Sequence, residues 1–106
     1  MSQAEDKTTA LLRKLWVKIQ PIVEERIAVL DRASDAATQG AMDDGLRKEA
    51  QSSAHKLAGA LGMYGFDEGT RVARELEHLL DGAVPDAKKL NDLVAELRAA
   101  IIPKPE

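Results

Sequence analysis

Apolar residues recur every three or four positions along most of the chain, and this spacing restricts the possible folds more than any other feature. The longest run extends from Thr8 to Ala37, which is about eight helical turns. Its apolar members are Leu12, Leu15, Trp16, Ile19, Ile22, Val23, Ile27, Leu30 and Ala33. Pro21 lies inside the run, where it could kink one long helix or open a second one. No segment shows the strict alternation that is typical of a strand.

Three further helices are expected, separated by residues that favour turns and helix caps. Gly40, Gly65 and Gly82 mark the breaks between them. The expected bounds are Asp44 to Tyr64, Asp67 to Leu80, and Pro85-Asp86 to Ile101. Because the connections are short, neighbouring helices should pack antiparallel. We therefore predict an all-α fold, an up-and-down antiparallel four-helix bundle with an extended N-terminal helix that Pro21 could kink.

The length of 106 residues suits a single domain over positions 1–106. Residues 1–7 are expected to form an N-terminal tail, and the proline-rich residues 103–106 a tail or linker. The sequence has no cysteine, which excludes disulfides and thiolate metal sites and fits a cytoplasmic protein. It shows no secretory signal and no apolar stretch near the roughly 20 residues that cross a bilayer. A net charge of −3 argues against binding to nucleic acid, so neither nucleic acid nor membrane is an expected partner.

The second predicted helix has two distinct faces when its residues are placed at 100° intervals. The face opposite His55 is a core stripe that consists of Leu46, Ala50, Ser53, Ala54, Leu57, Ala60, Leu61 and Tyr64. The face centred on His55 has no large apolar residue and consists of Lys48, Gln51, Ser52, His55, Ala58, Gly59 and Gly62. Each interior glycine costs a helix about 0.8–1.0 kcal/mol relative to alanine. Gly59 and Gly62 therefore suggest that another protein comes close to the imidazole.

His55 has suitable chemistry for such a face. Imidazole is largely neutral and nucleophilic near pH 7, and an exposed imidazole has room for a phosphoryl group. A partner would supply the in-line geometry and a metal ion, which is consistent with a chain that has no glycine-rich nucleotide loop. A lone histidine is more often an ordinary surface residue. Its coincidence with two glycines on one face favours the chemical interpretation.

The segment around His55 resembles the phosphoacceptor signature of histidine-containing phosphotransfer (Hpt) domains. His55, Leu57, Gly59 and Gly65 stand at the spacing of that signature, and Leu76-Glu77 resembles a Leu-Glu pair of the following helix. The resemblance covers roughly Leu46 to Leu80. It is similar in particular to Hpt segments of bacterial response regulators and hybrid kinases, including cyanobacterial ones.

The resemblance implies that His55 is the phosphoacceptor. It would exchange a phosphoryl group with the aspartate of a receiver domain in a response regulator or hybrid histidine kinase. It also implies a transfer intermediate without kinase activity of its own, no cofactor, and Mg²⁺ on the receiver's side. The receiver is expected to dock over small and polar residues around the histidine, namely Gln51, Ser52, Ala58, Gly59 and Gly62.

One position departs from the family pattern, in which a lysine three residues after the histidine helps to hold the phosphoryl group. Ala58 stands there in this sequence. Lys56 and Lys48 are the candidate replacements. Lys56 is favoured because Lys48 lies about 10 Å away along the helix axis.

Three other interpretations stay open. A docking or dimerisation module with the Hpt fold but without phosphotransfer would fit the alanine at position 58. A metal-binding bundle is suggested by Glu75 and His78, but carboxylate-bridged sites need a second Glu-x-x-His pair, and no metal ligand is predicted. A helix-turn-helix DNA binder could use Arg71 and Arg74, but the acidic balance of the chain opposes it.

Overall fold

The computed structural model describes residues 3–101, with side chains from Lys7 onward, and it contains the four expected helices. They are α1 (Gln3–Thr38), α2 (Asp44–Met63), α3 (Asp67–Leu79) and α4 (Ala87–Ile101). Residues 3–101 contain no strand. The prediction of an all-α fold is confirmed, with most helix ends within one or two residues of the expected positions. The proline-rich tail at residues 103–106 lies outside the described residues.

The N-terminal tail was predicted to be longer than the structure allows. Residues 3–7 belong to α1, so the prediction that they form a tail is wrong. They include alanine, glutamate and lysine, which favour helix, but no large apolar residue. Apolar spacing therefore gave no signal there.

Pro21 lies inside α1, which continues on both sides of it as one helix. Proline cannot donate a hydrogen bond to the carbonyl four residues earlier, and this loss usually weakens a helix. Pro21 is exposed, so water can take the place of the missing donor. Of the two arrangements that the sequence allowed, a single long helix and two successive helices, the structure shows the single long helix.

The helices are arranged as a bundle in which α2 and α4 lie on opposite corners. Both α1 and α3 pack against α2 and α4, whereas the described residues show no close contact between α2 and α4. The molecule measures 53 × 20 × 19 Å, and its long axis reflects the 36 residues of α1. The predicted up-and-down connectivity is consistent with these contacts. None of the helices in residues 3–101 is long and apolar enough to cross a bilayer.

The core is aliphatic and includes side chains from all four helices. Its largest fully buried members are Val23, Ile27, Leu30, Leu57, Leu61, Val72, Leu76, Leu80, Leu90 and Leu97. Leu12, Leu15 and Ile22 belong to the apolar run of α1 but are exposed. The N-terminal half of α1 extends beyond the shorter helices, so few core partners are available to it. Trp16 is an exception, because its ring packs against Tyr64 and Phe66 with centroids 5.6 and 4.8 Å away.

The ends of α2 fix its position in the bundle. The Asp43 side chain accepts a hydrogen bond from the backbone N–H of Leu46 at 2.7 Å and caps the N-terminus. At the other end Gly65 has a φ of 82°, a left-handed conformation in which glycine carries no steric cost. The chain turns there into α3, which runs back along α2.

Candidate functional site

His55 lies near the middle of α2 and points away from the core. Its side chain is 73% exposed, whereas Leu57 and Leu61 on the opposite side of the same helix are fully buried. The predicted division of α2 into a core stripe and an exposed face is confirmed for these residues. The imidazole can therefore be reached by a second protein.

The imidazole is held by a carboxylate from the neighbouring helix. Nδ1 of His55 lies 2.9 Å from Oε2 of Glu77 on α3. An ionised carboxylate only accepts hydrogen bonds, so Nδ1 is the donor in this pair, and in a neutral imidazole Nε2 then keeps its lone pair. Sequence spacing missed this contact because it joins two helices. The Leu76-Glu77 pair was its only sequence signal.

Thr70 of α3 lies beside the part of the exposed face of α2 that follows His55. Its Oγ1 lies 3.5 Å from the carbonyl oxygen of Ala58 and donates a hydrogen bond to the carbonyl of Phe66 at 3.0 Å. A Cβ added to Gly62 would lie 3.5 Å from the same Oγ1, an ordinary contact distance. A Cβ added to Gly59 would meet nothing within 4 Å. Packing within the chain therefore does not require glycine at position 59.

The residues predicted to contact a receiver are not all accessible. Ser52, Gly59 and Gly62 are exposed, and Gln51 is half-buried. Ala58 is only 6% exposed, so its assignment to the docking surface is wrong. It lies at the edge of the face where α3 packs on α2, and a helical wheel of α2 alone could not reveal that. We call the remaining set, Gln51, Ser52, His55, Gly59 and Gly62, the acceptor face.

The two candidate lysines differ in their partners. Nζ of Lys48 lies 3.4 Å from Oδ2 of Asp44, one turn toward the N-terminus of α2. Lys56 is exposed and has no ion pair with any described residue. Lys48 is thus paired at the end of the helix away from the glycines, and Lys56 is the freer of the two.

Arg47 is a buried cation that sequence reasoning missed. It is 7% exposed, and its Nη1 donates to the carbonyl oxygen of Leu80 at 2.7 Å. Its Nε and Nη2 donate to Asp44 at 3.0 and 2.8 Å. Hydrogen bonds from Arg47, and then from Lys48, hold the pKa of the Asp44 carboxyl below its usual value. Arg47 therefore ties the start of α2 to the end of α3, near the acceptor face.

The residues that suggested a metal site or a DNA-binding surface have other partners or other positions in the structure. Glu75 is ion-paired with Arg71, and His78 is exposed in the last turn of α3. The described part of the chain contains no group of three or more potential metal ligands. Arg71 also pairs with Glu68 at 2.8 Å and Glu96 at 3.5 Å, so acidic side chains surround it.

A comparison with models of protein families identifies the family to which the chain belongs. The model of the Hpt domain matches residues 20–102, which include all of α2, α3 and α4. The chain belongs to the Hpt domain family. The resemblance found around His55 is thereby confirmed at the level of the family.

One relative of this Hpt domain is Protein RcaC of Microchaete diplosiphon. It is 28% identical over 81 residues, which make up 76% of this chain and 12% of RcaC. The Hpt domain thus spans about an eighth of that protein's length. No solved structure matches the chain.

Hpt domains in general take part in histidine phosphotransfer within two-component phosphorelays, and they work with receiver domains. In this Hpt domain His55 is the exposed histidine of α2, and His78 lies in the last turn of α3. The roles of individual residues are predictions, and the positions of these residues in the structure define which contacts to test.

Proposed function

We propose that this Hpt domain accepts a phosphoryl group on His55 from the aspartyl phosphate of a receiver domain and passes it to another receiver. The observation that carries the proposal is the environment of His55, which is exposed near the middle of α2 with its Nδ1 within hydrogen-bond distance of Glu77. Membership of the Hpt family supports it. We place the exchange in the cytoplasm, which the cysteine-free sequence fits.

The transfer step follows from the tautomer that Glu77 favours. The lone pair on Nε2 attacks phosphorus, and the bond between phosphorus and the receiver's aspartate oxygen breaks. The bonding electrons leave with that oxygen, so the aspartate becomes a free carboxylate. Because Nδ1 keeps its proton, the phosphorylated ring is cationic, and the Glu77 carboxylate 2.9 Å away offsets this charge. The reverse sequence returns the phosphoryl group to an aspartate.

Glu77 acts in this scheme as a positioning residue. It touches the imidazole and not the phosphorus, and it selects the nitrogen that is free to react. The receiver would supply the in-line geometry and Mg²⁺, which neutralises charge on the transferred group. The Hpt domain supplies the nucleophile and the surface around it, and it takes no cofactor in this proposal.

The acceptor face is suited to a close approach. Gly59 and Gly62 lie one and two turns beyond His55, and neither has a side chain that would hold a partner away. A receiver could therefore bring its aspartyl phosphate within bonding distance of Nε2. Ser52 and Gln51 on the other side of His55 offer polar groups at the rim.

The test is transfer from a receiver domain phosphorylated with acetyl phosphate. The parent chain is expected to become labelled, His55→Gln to remain unlabelled, and the matched control His78→Gln to behave like the parent. An exposed substitution shifts stability by no more than about 0.5 kcal/mol, so thermal unfolding should be almost unchanged in both variants. Labelling of His55→Gln, or loss of labelling only in His78→Gln, would contradict the proposal.

A second candidate function is docking without transfer, and the alanine at position 58 favours it. In that case the receiver would bind the parent and His55→Gln equally well and neither would become labelled. Measuring receiver binding by calorimetry beside the transfer assay separates the two functions.

A further inference from the structure

Three residues of α3 form a stripe that faces α2. Thr70, Arg74 and Glu77 are spaced four and three residues apart and therefore lie on one side of the helix. Glu77 at one end contacts His55 at 2.9 Å. Thr70 at the other end lies 3.5 Å from the carbonyl of Ala58. Arg74 is thus the middle member of a stripe whose two ends both contact α2.

The register of the two helices places Arg74 across from Ala58. Gly62 lies seven positions after His55 on α2, and Glu77 lies seven positions after Thr70 on antiparallel α3. The two helices therefore keep the same register between these contacts. Arg74 lies three residues before Glu77, and Ala58 lies three residues after His55.

Arg74 also differs from Arg71, the preceding cation of α3, in having no acidic partner among the described residues. It is exposed, and among residues 7–101 no carboxylate lies within ion-pair distance of it. Arg71, one turn earlier, is shared by Glu68, Glu75 and Glu96. Arg74 lines a groove of about 460 Å³ that begins beside the acceptor face at Gly62 and does not include His55; its other lining residues are Asp67, Thr70, Arg71, Glu75 and His78. An unpaired guanidinium beside a groove can bind an anion without first giving up an ion pair.

We propose that Arg74 binds the phosphoryl group carried by His55, and so supplies from α3 the cation that is missing at position 58 of α2. The inference rests on the proposed function of His55. The offset of three residues along α3 is about 4.5 Å, a distance that an extended arginine side chain spans. Guanidinium groups bind phosphoryl oxygens through two parallel hydrogen bonds. The burial of Ala58 fits this arrangement, because α3 covers the position from which a lysine would otherwise reach.

The experiment uses phosphoramidate, a small donor that phosphorylates exposed imidazoles without a receiver. Every variant carries His78→Gln, so that His55 is the only histidine. The pKa of the phosphoryl group on His55 is then measured by ³¹P NMR titration. Arg74→Gln is compared with Arg74→Lys, which keeps the charge. Lys89→Gln on α4 is the control, since it removes the same charge from a helix that does not contact α2.

We expect Arg74→Gln to raise the pKa of the phosphoryl group by about 0.2 to 0.7 units, the size that one exposed ion pair supports. The direction follows because a nearby cation favours the doubly ionised phosphoryl group. Arg74→Lys should recover most of the shift, and Lys89→Gln should titrate like the parent. In a receiver assay, Arg74→Gln should move the phosphoryl equilibrium toward the receiver by about two- to fivefold.

The outcomes separate this inference from the function on which it rests. Equal titration of Arg74→Gln and Lys89→Gln would overturn the role of Arg74, even if receivers still phosphorylate His55. A clear Arg74 effect together with no transfer from any receiver would overturn the relay function and leave the phosphoryl site standing. If phosphoramidate fails to modify His55, both proposals are wrong, since both require an accessible Nε2.

Discussion

The two sides of α2 consist of neighbouring residues with opposite environments. Leu57 and Leu61 are fully buried, whereas His55, two residues before Leu57, is 73% exposed, and a Cβ added to Gly59, between the two leucines, would meet only open space. The core side is a repeating apolar pattern that any helical bundle would need. The acceptor face contains glycines that lower helix stability, so stability alone does not explain its sequence. If a receiver docks on the acceptor face as proposed, its close approach accounts for the glycines of that side, whereas packing accounts for the apolar residues of the other.

The largest expected effect belongs to the core side. Leu57→Ala should lower the free energy of unfolding by about 2–5 kcal/mol, because it removes a fully buried side chain and leaves a cavity. Ser52→Ala on the exposed side should change it by no more than about 0.5 kcal/mol. Urea denaturation measures both. A similar loss in the two variants would remove the contrast between the sides of α2.

Glu77→Gln should have the next largest effect, and on transfer instead of on folding. A neutral amide offsets less of the charge on the phosphorylated ring, and it no longer fixes the proton on Nδ1. We expect phosphorylation of His55 by the receiver to slow by roughly tenfold, the equivalent of one hydrogen bond to a charged group. Single-turnover kinetics measure the rate. Unchanged kinetics would mean that the contact with His55 has no part in transfer.

A large side chain introduced on the acceptor face should impair docking of a receiver while the fold remains intact. Replacing glycine inside a helix can stabilise it by up to about 1 kcal/mol, and neither Gly59 nor Gly62 has a neighbour closer than 3.5 Å to an added Cβ. Gly62→Gln should therefore keep its melting temperature and bind a receiver more weakly. Gly59→Gln is the cleaner variant because nothing lies within 4 Å of its Cβ. A destabilised fold with normal transfer per folded molecule would show that these glycines serve packing.

The smallest effects are expected from the lysines of α2. Lys56→Ala should slow formation of phosphorylated His55 by less than about fivefold, because solvent screens an exposed cation. Lys48→Ala should do less, since Lys48 is paired with Asp44. Ala58→Lys restores the usual family residue. If it alone speeds transfer while both alanine variants match the parent, α2 has no helper cation of its own.

Helix number, order and most boundaries could be predicted because they depend on local apolar spacing and on caps such as Asp43 and Gly65. The same spacing gave His55 as exposed and Leu57 as buried. It could not predict the burial of Ala58, which depends on where a second helix crosses. The His55–Glu77 contact and the bond from Arg47 to the Leu80 carbonyl likewise join residues far apart in sequence. Local pattern contains no information on such pairings.

The proposed role of His55 is tested by identifying which histidine nitrogen carries phosphorus after transfer from a receiver. The chain is labelled with ¹⁵N in its imidazole rings, and phosphorus–nitrogen coupling is recorded by NMR. We predict coupling to Nε2 of His55 alone, with Nδ1 still protonated beside Glu77. Coupling to Nδ1, or to either nitrogen of His78, would contradict it.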